Sequence, residues 1–244
     1  MNNRVWTARQ KMALEAMGFP VWERETPEVL VSQGNRGDPG DAMPVPARET
    51  AADREHAWQA LEGEVSGCER CGLCRGRSRA VPGSGNRTAA LMLIGEAPGA
   101  EEDRHGLPFV GRAGQLLTRM LAVIQIQREE VYITNTVKCR PPENRKPSPT
   151  EQAACRPYLE RQIQLVSPRL LVALGGVAAQ ALLQTDQTIG RLRGEIHTCR
   201  LAAMSQALPL IATYHPAFLL RSPQYKKDAR TDLDRIRAVL DGAS

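Results

Sequence analysis

Short apolar segments alternate with helical segments along the C-terminal two thirds of this 244-residue chain. Four of the apolar segments have the length of buried strands: residues 90–95, 131–135, 169–175 and 208–213. Strands that alternate with helices form parallel sheets covered on both faces. The pattern therefore predicts a three-layer α/β/α fold with a central four-stranded, mostly parallel sheet. The helices are expected at 112–124, 150–166, 177–183 and 225–240.

The first fifty residues have a different character. An N-terminal helical segment is expected over residues 1–31, with its helix at 7–18. Residues 32–50 are rich in Gly, Pro and Asp, which is typical of a flexible linker. The main domain is expected over residues 51–244, opening with a helix over 50–65. A short helix on a tether can dock a protein partner or pack on its own body, and the sequence leaves both readings open.

Charge is distributed unevenly along the chain. Residues 1–66 contain 7 Lys/Arg and 11 Asp/Glu, whereas residues 67–244 contain 25 and 16. A basic body on an acidic leader is typical of a domain that binds a polyanion, although a solvated Arg-rich surface gives the same balance. No apolar run approaches the roughly 20 residues of a membrane span. The N-terminal residues lack the apolar stretch of a secretory signal, which predicts a cytoplasmic location.

Polar or charged residues follow three of the predicted strands. GEAPG begins at Gly95, the second strand ends in Thr-Asn at Asn135, and His-Pro follows the last strand at His215. Ligands of parallel α/β sheets bind at the carboxyl ends of the strands. We therefore expect Glu96, Asn135 and His215 to share one site.

Four cysteines have a spacing that suits a metal centre. Cys68 and Cys71 form a C-x2-C pair, and Cys139 and Cys155 supply two more thiols. A cytoplasmic chain keeps its thiols reduced, so metal binding is favoured over disulfides. Spacing alone leaves both Zn²⁺ and a [4Fe–4S] cluster open, although the second C-x2-C knuckle of a zinc ribbon is missing.

Four motifs in a fixed order resemble those of the family 4 (iron–sulfur) uracil-DNA glycosylases. They are GEAPGAEED at 95–103, GLPFVGRAG at 106–114, TNTVKCRPPENRKP at 134–147 and TYHPAFLLRSP at 213–223. The likeness extends from about Cys68 to Leu240. It implies an enzyme that hydrolyses the bond between uracil and deoxyribose in single- or double-stranded DNA, leaves an abasic site and acts in base-excision repair.

Three residues are expected to handle the base that such an enzyme takes out of the helix. His215 is expected to donate a hydrogen bond to uracil O2, where negative charge develops. The Asn135 amide can accept from uracil N3–H and donate to O4, a pattern that cytosine reverses. The resemblance gives Phe109 the task of stacking on the base.

The GEAPGAEED motif supplies the remaining site candidates. Glu96 takes the place of the residue thought to orient water or to offset the positive sugar, with Gly95 and Ala97 beside it as substrate-binding residues. Better known uracil glycosylases carry an Asp at the position of Ala97, which cannot play that role. Glu102 matches a position near uracil C5, where it would crowd a thymine methyl group, and Asp103 is an alternative charged participant.

The contacts to DNA are expected after the His-Pro pair and in two basic segments. Leu219 and Leu220 can wedge into the duplex as the base leaves, and Arg221 can contact a phosphate. The alternative is that these residues form the first turn of a packed helix. A basic rim is expected to include Arg70, Arg75, Arg77, Arg79, Arg140, Arg145 and Lys146.

For the metal, the resemblance favours a structural [4Fe–4S] cluster held by Cys68, Cys71, Cys139 and Cys155, with zinc as the alternative. Cys74 extends the first pair to C-x2-C-x2-C, a spacing also found in ferredoxin-type sites, but it is not included among the ligands.

Three expectations concern the protein as a whole. A related branch traps uracil-DNA through a His in an insertion that this chain lacks, so turnover is expected. The expected protein is a monomer of the bacterial nucleoid with no membrane contact. The competing hypotheses are a non-catalytic DNA-binding iron–sulfur protein that senses uracil or redox state and, with less support, an iron–sulfur electron carrier.

Overall fold

The computed structural model describes residues 50–201 and 206–242, in which six strands form one sheet. Their order across the sheet is β1-β3-β2-β4-β6-β5. The strands are β1 Ser84–Gly85, β2 Leu91–Gly95, β3 Tyr132–Asn135, β4 Leu170–Leu174, β5 Ile196–Cys199 and β6 Leu208–Thr213.

The four central strands are those expected from the apolar segments, and they pair in parallel as β3-β2-β4-β6. The expected count of four strands is corrected to six, because a short antiparallel strand borders each edge. β1 has only two residues and β5 is partly exposed, so neither has the continuous apolar run that marks a buried strand.

Helices cover both faces of the sheet, as the α/β/α prediction requires. Those on one face are α1 Ala51–Ser66, α4 Pro149–Val166, α5 Gly176–Leu183 and the short α6 Ile189–Leu192. Those on the other face are α3 Arg112–Val123, α7 Pro216–Arg221 and α8 Lys226–Asp241. The short helix α2 Ala100–His105 follows β2 in the chain.

Two apolar cores lie on opposite sides of the sheet. Along β2, Met92 and Ile94 point into the core under α1, α4 and α5, whereas Leu91 and Leu93 point into the core under α3, α7 and α8. This alternation follows from the two-residue period of a strand, and it explains why β2, β3 and β4 are buried along their whole length.

Helix α1 is anchored to the body by an aromatic residue. Trp58 is 2% exposed, and its ring centroid lies 5.2 Å from that of Tyr132 on β3. The Arg87 guanidinium lies over the indole at 5.1 Å. The predicted helical segment 1–31 and the linker 32–50, apart from Thr50, lie outside the described residues. Within the described ranges, none of the helices is long and apolar enough to cross a membrane.

Candidate active site

The four parallel strands end at one edge of the sheet, and the residues after them line a cavity of about 650 Å³. Glu96 follows β2, Asn135 ends β3 and His215 lies two residues after β6. The structure therefore brings together the three strand-end residues chosen from the sequence. A cavity of this size fits a small ligand such as a nucleobase. Ala97, Glu102, Phe109 and Arg221 also line it.

Asn135 presents an unsatisfied polar atom to this cavity. Its side chain is 1% exposed, and Oδ1 is a buried atom that makes no hydrogen bond with any described residue. Leaving such an acceptor unpaired costs about 1–3 kcal/mol. The atom is therefore suited to accept from a ligand N–H group.

Gly95 allows the Asn135 amide and the Phe109 ring to approach the same point of the backbone. It pairs with Asn135 across the parallel β2–β3 ladder. A Cβ at Gly95 would collide with Asn135 Oδ1 and would lie 2.7 Å from Phe109 Cζ. The role of Gly95 is therefore to leave space for these side chains.

Phe109 is held in a backbone conformation that favours glycine. Its φ is +53°, and its side chain is 6% exposed. A Cβ at Gly114, in the first turn of α3, would collide with the Phe109 carbonyl, so the close approach of the loop requires a glycine there. The Phe109 ring lies 5.5 Å from the His215 imidazole, centroid to centroid, at an interplanar angle of 32°. Phe109 thus lies between the Asn135 side and the His215 side of the cavity.

Glu102 braces the two loops that shape the cavity. Its Oε1 accepts hydrogen bonds from the Val110 and Gly111 amides at 2.9 and 3.1 Å, and its Oε2 accepts from the Gly99 amide at 3.1 Å. A carboxylate engaged in this way holds Phe109 in place. This geometry favours a positioning role over the expected contact with uracil C5.

The alternative carboxylate, Asp103, lies outside the cavity lining. It is 4% exposed and accepts hydrogen bonds from the Ser78 amide at 3.0 and 3.1 Å. Asp103 therefore ties α2 to the segment after the first cysteines, and it is not placed to act on a ligand.

Glu96 is the carboxylate that lies free at the cavity. Its side chain makes no hydrogen bond or ion pair with the residues at 50–201 and 206–242. Burial raises the pKa of Glu96, and the positive charge of Lys146 partly opposes this effect. Thr136 donates to the Glu96 backbone carbonyl at 2.6 Å and fixes the chain without occupying the carboxylate.

His215 is the N-cap of α7, and this role fixes its tautomer. The Ala217 amide donates to His215 Nδ1 at 3.1 Å, so in the neutral ring the proton is on Nε2. Burial, with a smaller effect of Arg221, lowers the pKa of His215 to about 4. At neutral pH the imidazole is therefore an uncharged hydrogen-bond donor through Nε2.

The three predicted DNA-contacting residues on α7 have different surroundings. Leu219 is 1% exposed and packs in the core with α3 and α8, so the prediction that it wedges into DNA is wrong. The helical period turns Leu220 outward, where it is 37% exposed. Arg221 is exposed and lines the mouth of the cavity.

An aromatic cluster borders the cavity beside α7. The rings of Tyr214, Phe218 and Tyr225 lie 5.2 Å apart, pair by pair, and the Arg193 guanidinium lies 5.3 Å from the Tyr214 ring. This cluster was not among the features predicted from the sequence. The available signal was the aromatic pair Tyr214 and Phe218 on either side of the His-Pro step.

Five cysteines line a second, small cavity, formed where α1, the loop after β3 and α4 meet. They are Cys68, Cys71, Cys74, Cys139 and Cys155. Within the described ranges, no group of three or more Cys, His, Asp or Glu side chains is arranged around a single metal ion. Four thiolates around one Zn²⁺ would each lie about 2.3 Å from it. The thiols therefore lie around the wall of the cavity, and no three of them are arranged around one common metal position.

Nitrogen donors and basic groups surround these sulfurs. Arg77 Nη1 donates to Cys139 Sγ at 3.0 Å, and the Lys138 amide donates to Cys155 Sγ at 3.2 Å. Burial raises the pKa of Cys139, with Cys71 and Cys68 adding to the rise and Arg77 opposing it. Burial also raises the pKa of Cys155 to about 11. Burial disfavours the free thiolate, whereas a bound metal ion and hydrogen bonds from N–H groups stabilise it. These cysteines are therefore suited to be thiolate ligands of a metal centre.

The basic rim expected from the sequence is only partly available for phosphate. Arg77 binds Cys139 and the Ser66 carbonyl, and Arg145 forms an ion pair with Glu151 at 2.7 Å. Lys146 is exposed and lines the mouth of the cavity.

Lys138 joins the end of β3 to α4. Its side chain is 1% exposed, and its Nζ donates to the Asn135 carbonyl, Gln162 Oε1 and Thr134 Oγ1 at 2.6–2.7 Å. Burial lowers the pKa of Lys138 to about 8. The burial of Lys138 was not predicted, because nothing in the sequence around it distinguishes it from the exposed basic residues nearby.

The comparisons with known proteins agree with this arrangement. The uracil DNA glycosylase superfamily matches residues 82–234. The type-4 uracil-DNA glycosylase of Pyrobaculum aerophilum is 43% identical over 72% of this chain and 90% of the relative. That of Thermotoga maritima is 38% identical over 77% and 96%. The type-5 enzyme of Thermus thermophilus is also 38% identical, but over only 57% and 69%. The chain belongs to the type-4 branch of the uracil-DNA glycosylase superfamily.

Proposed function

We propose that this protein hydrolyses the N-glycosidic bond of uracil in DNA and so begins base-excision repair. One observation carries the proposal: a cavity of nucleobase size is lined by the buried Asn135 amide, the Phe109 ring, the His215 imidazole and the free Glu96 carboxylate. The relatives named as uracil-DNA glycosylases support the same activity.

The Asn135 amide is proposed to select uracil. Its unpaired Oδ1 accepts from uracil N3–H, and its Nδ2 donates to O4. Cytosine has an acceptor at N3 and a donor at C4, so it would leave buried polar groups opposed to one another. Such a mismatch gives strong discrimination. Phe109 would stack on the base and hold it in the plane of the amide.

Bond cleavage separates charge, and His215 is proposed to stabilise the negative part. When the bond between C1′ and N1 breaks, its electron pair moves onto the uracil ring and its O2. His215 Nε2–H donates a hydrogen bond there, because Nδ1 is occupied by the Ala217 amide. In the uncharged ring Nδ1 carries no proton, so it can keep accepting from the Ala217 amide, and this hydrogen bond holds the orientation of the ring.

Glu96 is proposed to serve the sugar side of the reaction. Its carboxylate can accept a hydrogen bond from the attacking water, and its charge offsets the positive charge that develops at C1′. The water oxygen then bonds to C1′ while its proton is lost to the carboxylate or to solvent. Ala97, which occupies the position of an Asp in other uracil glycosylases, has no group for this purpose.

We further propose that the cysteine cavity holds a [4Fe–4S] cluster on Cys68, Cys71, Cys139 and Cys155. Their spread around a cavity suits a polynuclear cluster better than one zinc ion. When bound, the cluster would cross-link the segment after α1 to the loop after β3 and to α4. Hydrolysis transfers no electrons, so its task here is structural.

Leu220 and Arg221 are proposed to contact DNA at the mouth of the cavity. An exposed leucine beside the cavity can fill the space that the base leaves, and the arginine can bind a phosphate. The monomeric state, the cytoplasmic location at the nucleoid and a partner for residues 1–31 stay predictions.

The direct test combines an excision assay with a matched pair of variants. A labelled uracil-containing oligonucleotide is incubated with the protein, and free uracil is measured by chromatography. We expect release by the wild type, a loss of about 30-fold or more in Asn135→Asp because one polar group in the site is mismatched, and no change in Asn86→Asp, which lies in a remote turn. Uracil-dependent binding without release would instead support a non-catalytic sensor.

A further inference from the structure

The cysteine cavity contains one more thiol than a cubane cluster uses. Cys68, Cys71 and Cys74 come from one short segment, and Cys139 and Cys155 come from the body. Resting on the proposed cluster, we propose that Cys74 is a reserve ligand that can take the place of Cys71 on the same iron atom.

Local backbone geometry supports this exchange. Cys71 caps a 3₁₀ helix at Gly72–Arg75, and the Cys74 amide donates to the Cys71 carbonyl at 3.3 Å. Cys71 is extended and immediately precedes the turn, whereas Cys74 lies within it. The turn keeps the two residues close together in the chain, and both line the same cavity.

The surroundings explain why Cys71 is the resting ligand. Cys71 and Cys68 pack against the core, and both line the same cavity as the body cysteine Cys139. Cys74 is also partly buried and lines the cavity, but among the described residues it is not one of those that pack against this core. Cys71 is thus the more firmly held of the two thiols, and Cys74 lies three residues further along the same segment.

The turn also has room to adjust. A Cβ at Gly72 or Gly76, which border the turn, would meet no atom within 4 Å. In the exchange, the Cys74 thiol gives up its proton and its sulfur bonds to iron, while the bond between iron and Cys71 sulfur breaks and Cys71 takes a proton from solvent. The number of thiolates on iron and the number of electrons are unchanged.

Three variants test the proposal through cluster content and not through activity. Iron, sulfide and absorbance near 400 nm, roughly where such clusters absorb, are measured on anaerobically purified wild type, Cys71→Ser, Cys74→Ser and the double variant. We expect the single variants to keep most of the cluster and the double variant to lose about tenfold or more of it. Each single variant still has four cavity cysteines, whereas the double variant has only three, Cys68, Cys139 and Cys155, for four ligand positions. Cys71→Ser combined with Cys199→Ala, which removes a cysteine outside the cavity, is the matched control and should behave as Cys71→Ser.

A second measurement covers the case in which Cys71→Ser does not fold. The rate at which a chelator removes iron is measured for the wild type and for Cys74→Ser. Both proteins keep the four resting ligands Cys68, Cys71, Cys139 and Cys155. A thiol tethered beside the cluster recaptures iron at an effective concentration near the millimolar range. Iron should therefore leave Cys74→Ser at least about three times faster than it leaves the wild type. Alkylation followed by mass spectrometry should find Cys74 reactive in the wild type and protected in Cys71→Ser.

The outcomes separate the proposals. If Cys71→Ser is as empty as the double variant, or if Cys74→Ser loses iron at the wild-type rate, the reserve ligand is refuted while the four-cysteine cluster stands. A wild type without iron and sulfide overturns both, and uracil release measured in parallel reports separately on the glycosylase activity.

Discussion

Replacing His215 separates two roles that one side chain plays in this structure. Its Nδ1 accepts from the Ala217 amide and caps α7, and its Nε2–H faces the cavity. His215→Ala removes both interactions. His215→Asn keeps an acceptor for the cap, because an asparagine Oδ1 can bind the same amide, but it does not carry a donor to the position of Nε2.

The expected losses follow from these contacts. A preorganised donor to a developing oxyanion contributes about 2.7–4 kcal/mol, so both variants should lose about 100- to 1000-fold in the rate of uracil release. Loss of the helix cap costs about 1 kcal/mol. His215→Ala should therefore also unfold at a lower temperature, whereas His215→Asn should stay close to the wild type.

Single-turnover excision, thermal unfolding and ¹⁵N chemical shifts of the imidazole measure the three quantities. The exposed His105, which does not line the cavity, provides a matched control as His105→Ala. Since the pKa of His215 is lowered to about 4, the ring should stay neutral with its proton on Nε2 from pH 8 to pH 5. A loss smaller than tenfold, or a rate that rises below pH 7 as the ring gains charge, would refute the reasoning.

Three further predictions concern the cavity wall and its rim. Gly95→Ala should lower kcat/KM for uracil-DNA about tenfold or more in the excision assay, since overpacking costs about 1–3 kcal/mol, whereas Gly63→Ala, with open space around it, should not. Glu96→Gln should slow single-turnover release while leaving the affinity for uracil-DNA, measured by anisotropy, nearly unchanged; equal losses in both would assign Glu96 to binding. Leu219→Ala should lower unfolding stability by about 2–5 kcal/mol in denaturant titrations, and Leu220→Ala should instead slow excision from duplex more than from single-stranded DNA.

The pH dependence of stability provides a related check on His215. Its pKa is lower in the folded protein than the ordinary value of 6.5, so protonation favours the unfolded chain. The contribution of this residue to stability is complete above pH 6.5 and is lost as the pH falls toward 4. Asparagine does not titrate, and His215→Asn is expected to match the wild type at neutral pH. The wild type should therefore become less stable than His215→Asn as the pH falls from 6.5 toward 4, and the difference in their unfolding free energies should widen.

The sequence predicted the parts of this fold that depend on long apolar runs. The four central strands lie where the apolar segments are, and the strand-end rule placed Glu96, Asn135 and His215 at one edge. The edge strands β1 and β5 escaped because pairing along one side leaves them half exposed. β1 forms by pairing with β3, which is distant in the chain, and β5 forms by pairing with the next strand, β6.

Side-chain contacts were harder to predict than positions. The sequence predicted a place for Glu102 near the base, and the residue lines the cavity. It did not predict that the carboxylate also accepts from three backbone amides, two of which lie eight and nine residues away. It also grouped Leu219 with Leu220, although one helical step turns the first into the core. Such differences are set by the tertiary packing of α7 and of the loop at Phe109, which no local pattern encodes.

The loop at Phe109 has a consequence for how DNA is inspected. Its left-handed backbone is maintained by the Glu102 hydrogen bonds and by the absence of a side chain at Gly114, all within the protein itself. The receiving surface is therefore already assembled when a nucleotide arrives. The rate at which sites are sampled then depends on how readily each base pair opens, so uracil opposite guanine should be found sooner than uracil opposite adenine.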